Sequence, residues 1–266
     1  MRIDVAWTTA ELEHFNLHER APVVVDVLRA ASSIATAIHN GARAVLPAES
    51  IEEALRIANS IGRRDVVLCG EREGEPIEGF DLGNSPSEFT RQAVGERTLV
   101  MTTTNGTRAL AAAAGPGPSC VAALVNLGAV STRLLDGRHD PLIVCAGRSG
   151  RVAAEDALCA GLLVMSLLER GGQSQAIELG DGAMAALALA ERHSPVGTDF
   201  LMRTAAGRAL AAIGAAEDVA LCARVDALSV VPVLAERQIS GFPSSMTTGG
   251  RGRFEGEKLS YDPSGG

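Results

Sequence analysis

Four times in the chain a short apolar strand runs straight into a polar loop and then a helix. The clearest case is Thr98–Met101, followed by Thr102-Thr103-Thr104-Asn105-Gly106-Thr107 and a helical run over Arg108–Ala114. The others are Val23-Val24-Val25 into Asp26-Val27-Leu28-Arg29, Val66-Val67-Leu68 into Cys69-Gly70-Glu71-Arg72, and Leu142-Ile143-Val144 into Cys145-Ala146-Gly147-Arg148-Ser149-Gly150. Short β-branched runs are typical of buried parallel strands. Open α/β sheets place their ligand sites beyond the carboxyl ends of such strands. Here those ends carry hydroxyls, carboxylates and arginines, which is equipment for holding a small anion.

The remaining pattern agrees with a layered α/β/α fold around a mostly parallel sheet. Strands are expected at Ile3–Trp7, Val23–Val27, Ala44–Pro47, Asp65–Cys69, Thr98–Met101, Val121–Val125, Pro141–Cys145 and Val230–Leu234. Helices are expected at Ser32–Asn40, Ile51–Ser60 behind a Ser50/Glu53 capping box, Ala129–Leu135, Ala153–Glu169, Gly182–Arg192 and Asp199–Ile213. Gly70–Glu88 is a long loop, and loops of that length within a compact domain tend to be functional. One domain is assigned to 1–240. The segment 241–266 is rich in Gly, Ser and Pro, has no apolar period, and is expected to be a disordered tail.

Composition narrows the function classes. The net charge is −8 and aromatics are 3% of residues, which argues against duplex binding and against a stacking platform for single strands. The five cysteines form no CxxC pair and sit mostly in apolar runs, so reduced buried thiols and a cytoplasmic location are expected. No signal peptide is read at the N-terminus, and the longest apolar stretch, Ala157–Leu168, is too short to span a bilayer.

Several residues can carry chemistry. Thr103, Thr104, Asn105 and Gly106 would offer hydroxyls and amides to an anion at a helix start, with Arg108 at the rim, although Thr and Asn also serve as plain helix caps. This is not a nucleotide P-loop, because GxxxxGK[ST] is absent. Asp26 ends an apolar strand and is either a metal ligand or the partner of Arg29. Glu155 and Asp156 complement a helix dipole and lie close in sequence to the Cys145–Arg151 loop. The loop acids Glu71, Glu73 and Asp81, with Asn84, supply further oxygens, and Mg²⁺ needs only one to three carboxylates. Asp226 reads as a surface ion pair, and Cys145 as a packing residue that could serve as a nucleophile. No Ser-His-Asp, Cys-His or zinc spacing appears.

Four segments, taken in order, carry a resemblance. They are Asp26-Val27-Leu28-Arg29-Ala30, Gly79-Phe80-Asp81-Leu82-Gly83-Asn84-Ser85-Pro86, Thr102–Thr107, and Glu155-Asp156-Ala157-Leu158-Cys159-Ala160-Gly161. With Cys145-Ala146-Gly147 and Val230–Leu234, they resemble the 2-phosphosulfolactate phosphatase (ComB) family over about residues 1–240. The resemblance implies a Mg²⁺-dependent phosphatase. Such an enzyme converts (R)-2-phospho-3-sulfolactate to sulfolactate and phosphate, a step towards coenzyme M. Projected onto it, Asp26, Asp81, Glu155 and Asp156 are the metal candidates, Thr103, Thr104, Asn105, Gly106 and Arg148 hold the phosphoryl group, and Asp26, Arg29 and Arg108 act in catalysis. Two departures bear on the substrate: Ala31 stands where the family commonly has Thr, and Val152-Ala153-Ala154 where it commonly has Phe-Ser-Leu. Another phosphorylated hydroxy acid, or anion binding without turnover, are the alternatives. A homodimer is compatible with an enzyme of this kind.

Overall fold

The computed structural model describes residues 1–171 and 176–241. The tail expected beyond Gly241 lies outside the described residues. In chain order the elements are β1 (Arg2–Ala6), β2 (Arg20–Val25), α1 (Ala30–His39), β3 (Ala44–Pro47), α2 (Ile51–Ile61), β4 (Val66–Arg72), β5 (Glu75–Pro76), α3 (Arg91–Val94), β6 (Thr98–Thr102) and α4 (Gly106–Ala112). They continue with β7 (Ser119–Ala122), α5 (Leu127–Leu135), β8 (Asp140–Cys145), α6 (Ala154–Gly171), β9 (Glu178–Leu179), α7 (Asp181–His193), α8 (Thr198–Arg203), α9 (Ala205–Ala212), α10 (Ala216–Cys222), β10 (Pro232–Ala235) and β11 (Gln238–Gly241).

Among the described residues all the strands join one 11-stranded sheet in the order β5-β4-β6-β3-β11-β10-β7-β2-β8-β1-β9. It consists of two parallel halves. β4, β6 and β3 run parallel in one, and β7, β2, β8, β1 and β9 in the other. The antiparallel hairpin β10–β11 stitches them together, pairing with β7 on one side and β3 on the other.

Side chains alternate across this sheet as strand geometry requires. On β8, Leu142 and Val144 face α1 and α4 residues such as Ile34, Ala35 and Leu110, while Ile143 and Cys145 face α5–α7 residues such as Val130, Leu163 and Ala183. On β6, Leu99 and Met101 join the first layer and Val100 packs with Ala54 and Ala58 of α2. The result is the expected α/β/α sandwich, and each fully buried Val or Leu contributes about 1.5–3 kcal/mol. With few aromatics, close approach replaces bulk: a Cβ on Gly161 of α6 would stand 1.9 Å from the carbonyl oxygen of Ala186 on α7.

Some boundaries differ from expectation. The helix expected over Asp199–Ile213 is two, because Thr204 caps α9 by accepting the Gly207 N–H at 3.1 Å. β4 extends past Cys69 to Arg72, which brings Glu71 onto a strand end. The Ser50 cap of α2 is present (Glu53 N–H to Ser50 Oγ, 3.1 Å), but the Glu53 carboxylate reaches back to Glu49 N–H instead of completing the box at Ser50. All five cysteines are buried free thiols.

Candidate active site

A cavity of about 320 Å³ opens where the loops after β2, β4, β6 and β8 converge, roofed by α9. Asp26, Arg29, Thr103, Thr104, Asn105 and Arg148 line it, together with Glu71, Glu73, Gly74, Asn84 and Ser149. Nine of the residues singled out in the sequence (Asp26, Arg29, Glu71, Glu73, Asn84, Thr103, Thr104, Asn105 and Arg148) therefore meet in one place.

Asp26 sits at its base. Oδ1 accepts the Ala30 N–H at 3.1 Å, and Oδ2 lies against Gly106. Its carboxyl is raised to about 7: burial is the largest cause, the Ala30 amide opposes it, Glu71 and Glu155 add to it, and Arg29 pulls the other way. Arg29 is not the direct ion-pair partner of Asp26. Its guanidinium donates to Asp218 of α10 at 2.7 Å and to the Gly74 carbonyl at 2.6 Å, and the ion pair is buried on both sides. Ser85 Oγ donates to the other Asp218 oxygen at 2.5 Å. Asp218 carries no motif that sequence reading could have picked out.

The Thr-rich loop is tied down by its own side chains. Thr103 Oγ1 accepts the Thr107 N–H at 3.0 Å, and Thr107 Oγ1 accepts the Thr103 N–H at 3.1 Å. Among the described residues nothing accepts the Thr103 hydroxyl proton, so it is available to the cavity. Thr104 is committed instead: its hydroxyl donates to Glu71 at 3.1 Å and accepts the Glu73 N–H at 3.1 Å. Asn105 Oδ1 accepts the Ser149 N–H at 3.0 Å, which joins the β6 and β8 loops and leaves its amide hydrogens as donors.

Glu71 braces the wall, accepting the Thr104 N–H and the Gly74 N–H, each at 2.7 Å. The three-residue extension of β4 past Cys69 is what carries it to this wall. Asp156 is a buried strut behind the cavity, accepting the Val27 N–H at 2.9 Å and the Gly147 N–H at 3.0 Å, so one carboxylate fastens two strand-end loops. Burial, and then Asp26 and Glu155, hold its carboxyl well above the usual range. Glu155 is buried beside it, and its carboxyl is raised by the same desolvation.

Two expected site residues are placed elsewhere. Asp81 bonds the Leu68 N–H at 2.8 Å and pairs with Arg63 at 3.0 Å, which fastens the long loop to β4 away from the cavity. Arg108 is exposed on α4 and does not line the cavity. Asp226 caps α5 by accepting the Gly128 N–H at 2.5 Å rather than forming the surface ion pair expected. Burial drives the Cys145 thiol well up, assisted by Asp156, which removes it as a nucleophile. Neither departure reaches the pocket: Ala31 is packed in the α1/α4 core, and Val152 is 54% exposed.

The family model for 2-phosphosulpholactate phosphatase matches residues 7–237. A probable 2-phosphosulfolactate phosphatase of Symbiobacterium thermophilum is 37% identical over 83% of this chain and 93% of its own length. Proteins of the same description from Thermotoga petrophila (38% identical, 81% of this chain, 89% of its own) and Clostridium novyi (32%, 87% and 96%) are similar throughout. The chain belongs to the 2-phosphosulpholactate phosphatase family.

Proposed function

We propose that this member of the family is a phosphoric monoester hydrolase that uses Mg²⁺ to convert (R)-2-phospho-3-sulfolactate to 3-sulfolactate and phosphate, in the cytoplasm and on a route to coenzyme M. The observation that carries the reading is the charge of the cavity. Three carboxylates (Asp26, Glu71 and Glu73) line it against two guanidiniums (Arg29 and Arg148). Such a lining repels a polyanionic phosphoester unless a cation joins it.

The donor set fits Mg²⁺ in its usual form. Among the described residues no three His, Cys, Asp or Glu side chains converge to cage a metal. Mg²⁺ does not ask for that, since it keeps several waters and binds through one or two carboxylates plus substrate phosphate. Asp26 Oδ2 and the remaining lone pairs of Glu71 would hold it. Asp156 is spent on two backbone amides, and Asp81 lies elsewhere. When bound, the cation would polarise phosphoryl oxygens and acidify a water.

The chain's own groups do the rest. Thr103 Oγ1 and the Asn105 amide donate to the phosphoryl oxygens. Arg29, fixed by Asp218 and the Gly74 carbonyl, presents its remaining N–H groups to charge that grows in the transition state. Arg148, exposed at the rim, draws in the substrate's second anionic group. Asp26 must be ionised to act, which its value of about 7 makes accessible at neutral pH. A panel of phosphoesters assayed for phosphate release with Mg²⁺ tests the assignment. 2-Phospho-3-sulfolactate should win by kcat/KM, and a different winner would reassign the substrate.

A further inference from the structure

Asn84 is the cavity residue that this mechanism leaves unused. It is 4% exposed, lines the cavity beside Asp26 and Arg29, and its Oδ1 is wholly buried with no hydrogen-bond donor among the described residues. Its backbone is fixed on every side. The Asn84 carbonyl accepts the Ser33 hydroxyl at 2.7 Å, and the flanking Gly83 and Ser85 N–H groups both donate to Glu88, at 2.5 and 3.4 Å. The Gly83 carbonyl accepts the Gly70 N–H at 3.0 Å. A buried acceptor held rigidly without a donor is rare in a native fold, and a missing water or ion is a standard reason.

The chemistry of the proposed substrate restricts the donor. Its carboxylate, sulfonate and phosphate are acceptors, and its one hydroxyl is esterified. Arg29, which lines the cavity with Asn84, is fixed on Asp218 and the Gly74 carbonyl, and none of its N–H groups is hydrogen-bonded to Asn84 Oδ1. What remains is a proton-bearing oxygen. We infer that Asn84 Oδ1 accepts a hydrogen bond from a water of the hydrated divalent cation, which makes Asn84 a positioning residue for that cation. The inference rests on the cation reading above. An amide oxygen is a suitable partner for the waters of a hard cation, and partners of this kind commonly set metal affinity by about 10- to 100-fold.

The test is direct binding of Mn²⁺ to the full chain, followed by water-proton relaxation without substrate. Asn84→Leu should weaken Mn²⁺ at least tenfold while the metal-free protein melts no lower than wild type. Asn84→Asp, which keeps an acceptor oxygen, should bind at least as tightly as wild type and stands as the control should the leucine variant not fold. Wild-type affinity in Asn84→Leu, or loss of affinity in Asn84→Asp, would overturn the inference alone. A wild-type protein that binds no Mn²⁺ would overturn the cation reading with it. A variant that loses 3-sulfolactate affinity in EDTA but keeps Mn²⁺ would place Asn84 on the product hydroxyl instead, and would also overturn it.

Discussion

Gly106 and Asp26 touch: a Cβ added to Gly106 would stand 2.6 Å from Asp26 Oδ2 and 2.4 Å from the Ala30 methyl. The loop that is proposed to hold the phosphoryl group is thereby seated on the carboxylate proposed to act with it. Gly106→Ala must push the two apart. Overpacking of this kind costs about 1–3 kcal/mol, and a displacement of about 1 Å can lower turnover by about 10²-fold. Chemical denaturation and kcat on purified protein check this; unchanged kcat in the variant would show that the contact is incidental.

Asp156 fastens the β2 and β8 loops through Val27 N–H and Gly147 N–H. Asp156→Ala leaves two buried amides unpaired, at about 1–3 kcal/mol each. The variant should lose several degrees of melting temperature and show faster hydrogen exchange at those two amides. A melting temperature equal to wild type would mean that water satisfies them.

Asp218 neutralises Arg29 from outside the cavity, across a buried 2.7 Å ion pair. Removing one partner of such a pair costs about 3–5 kcal/mol. Asp218→Asn, which keeps an acceptor, should fold and lower kcat more than it raises KM, because Arg29 acts on charge that grows in the transition state. A purely structural role would lower stability and leave both constants alone.

Burial, with Glu71 and Glu155, lifts Asp26 to about 7, whereas in the unfolded chain it titrates near about 4. The folded protein therefore binds the proton more tightly. That contribution to stability is complete below about pH 4 and is lost as the pH rises through about 7. In metal-free protein, Asp26→Asn should melt higher than wild type at pH 8, by roughly 5–10 °C, with the gap closing towards pH 4. Thermal melts in EDTA at the two pH values decide it, and equal melting at pH 8 would contradict the raised value.

The features legible in the sequence were those with local signatures. The four strand-to-loop transitions at Val25, Leu68, Met101 and Val144 follow from β-branched runs meeting polar residues, and they placed Asp26, Thr103, Asn105 and Arg148 together. What was not legible depended on distant partners. Strand β11 (Gln238–Gly241) is polar, and its turn has Glu236 and Arg237 at φ 48° and 64° without the usual Asn-Gly signal. Asp81 and Asp26 look alike as acids near strand ends. Only the fold shows one paired with Arg63 near the surface and the other buried under Gly106. Asp218 is some 190 residues from Arg29, so nothing local announces their pairing.

The most direct test is phosphate release from synthetic 2-phospho-3-sulfolactate by wild type and Asp26→Asn, side by side, with Mg²⁺ and with EDTA. The account predicts turnover by wild type that EDTA abolishes, and a fall of about 10²–10⁴-fold in kcat for the folded variant. Near-normal kcat in Asp26→Asn, or wild-type turnover that persists in EDTA, would contradict it.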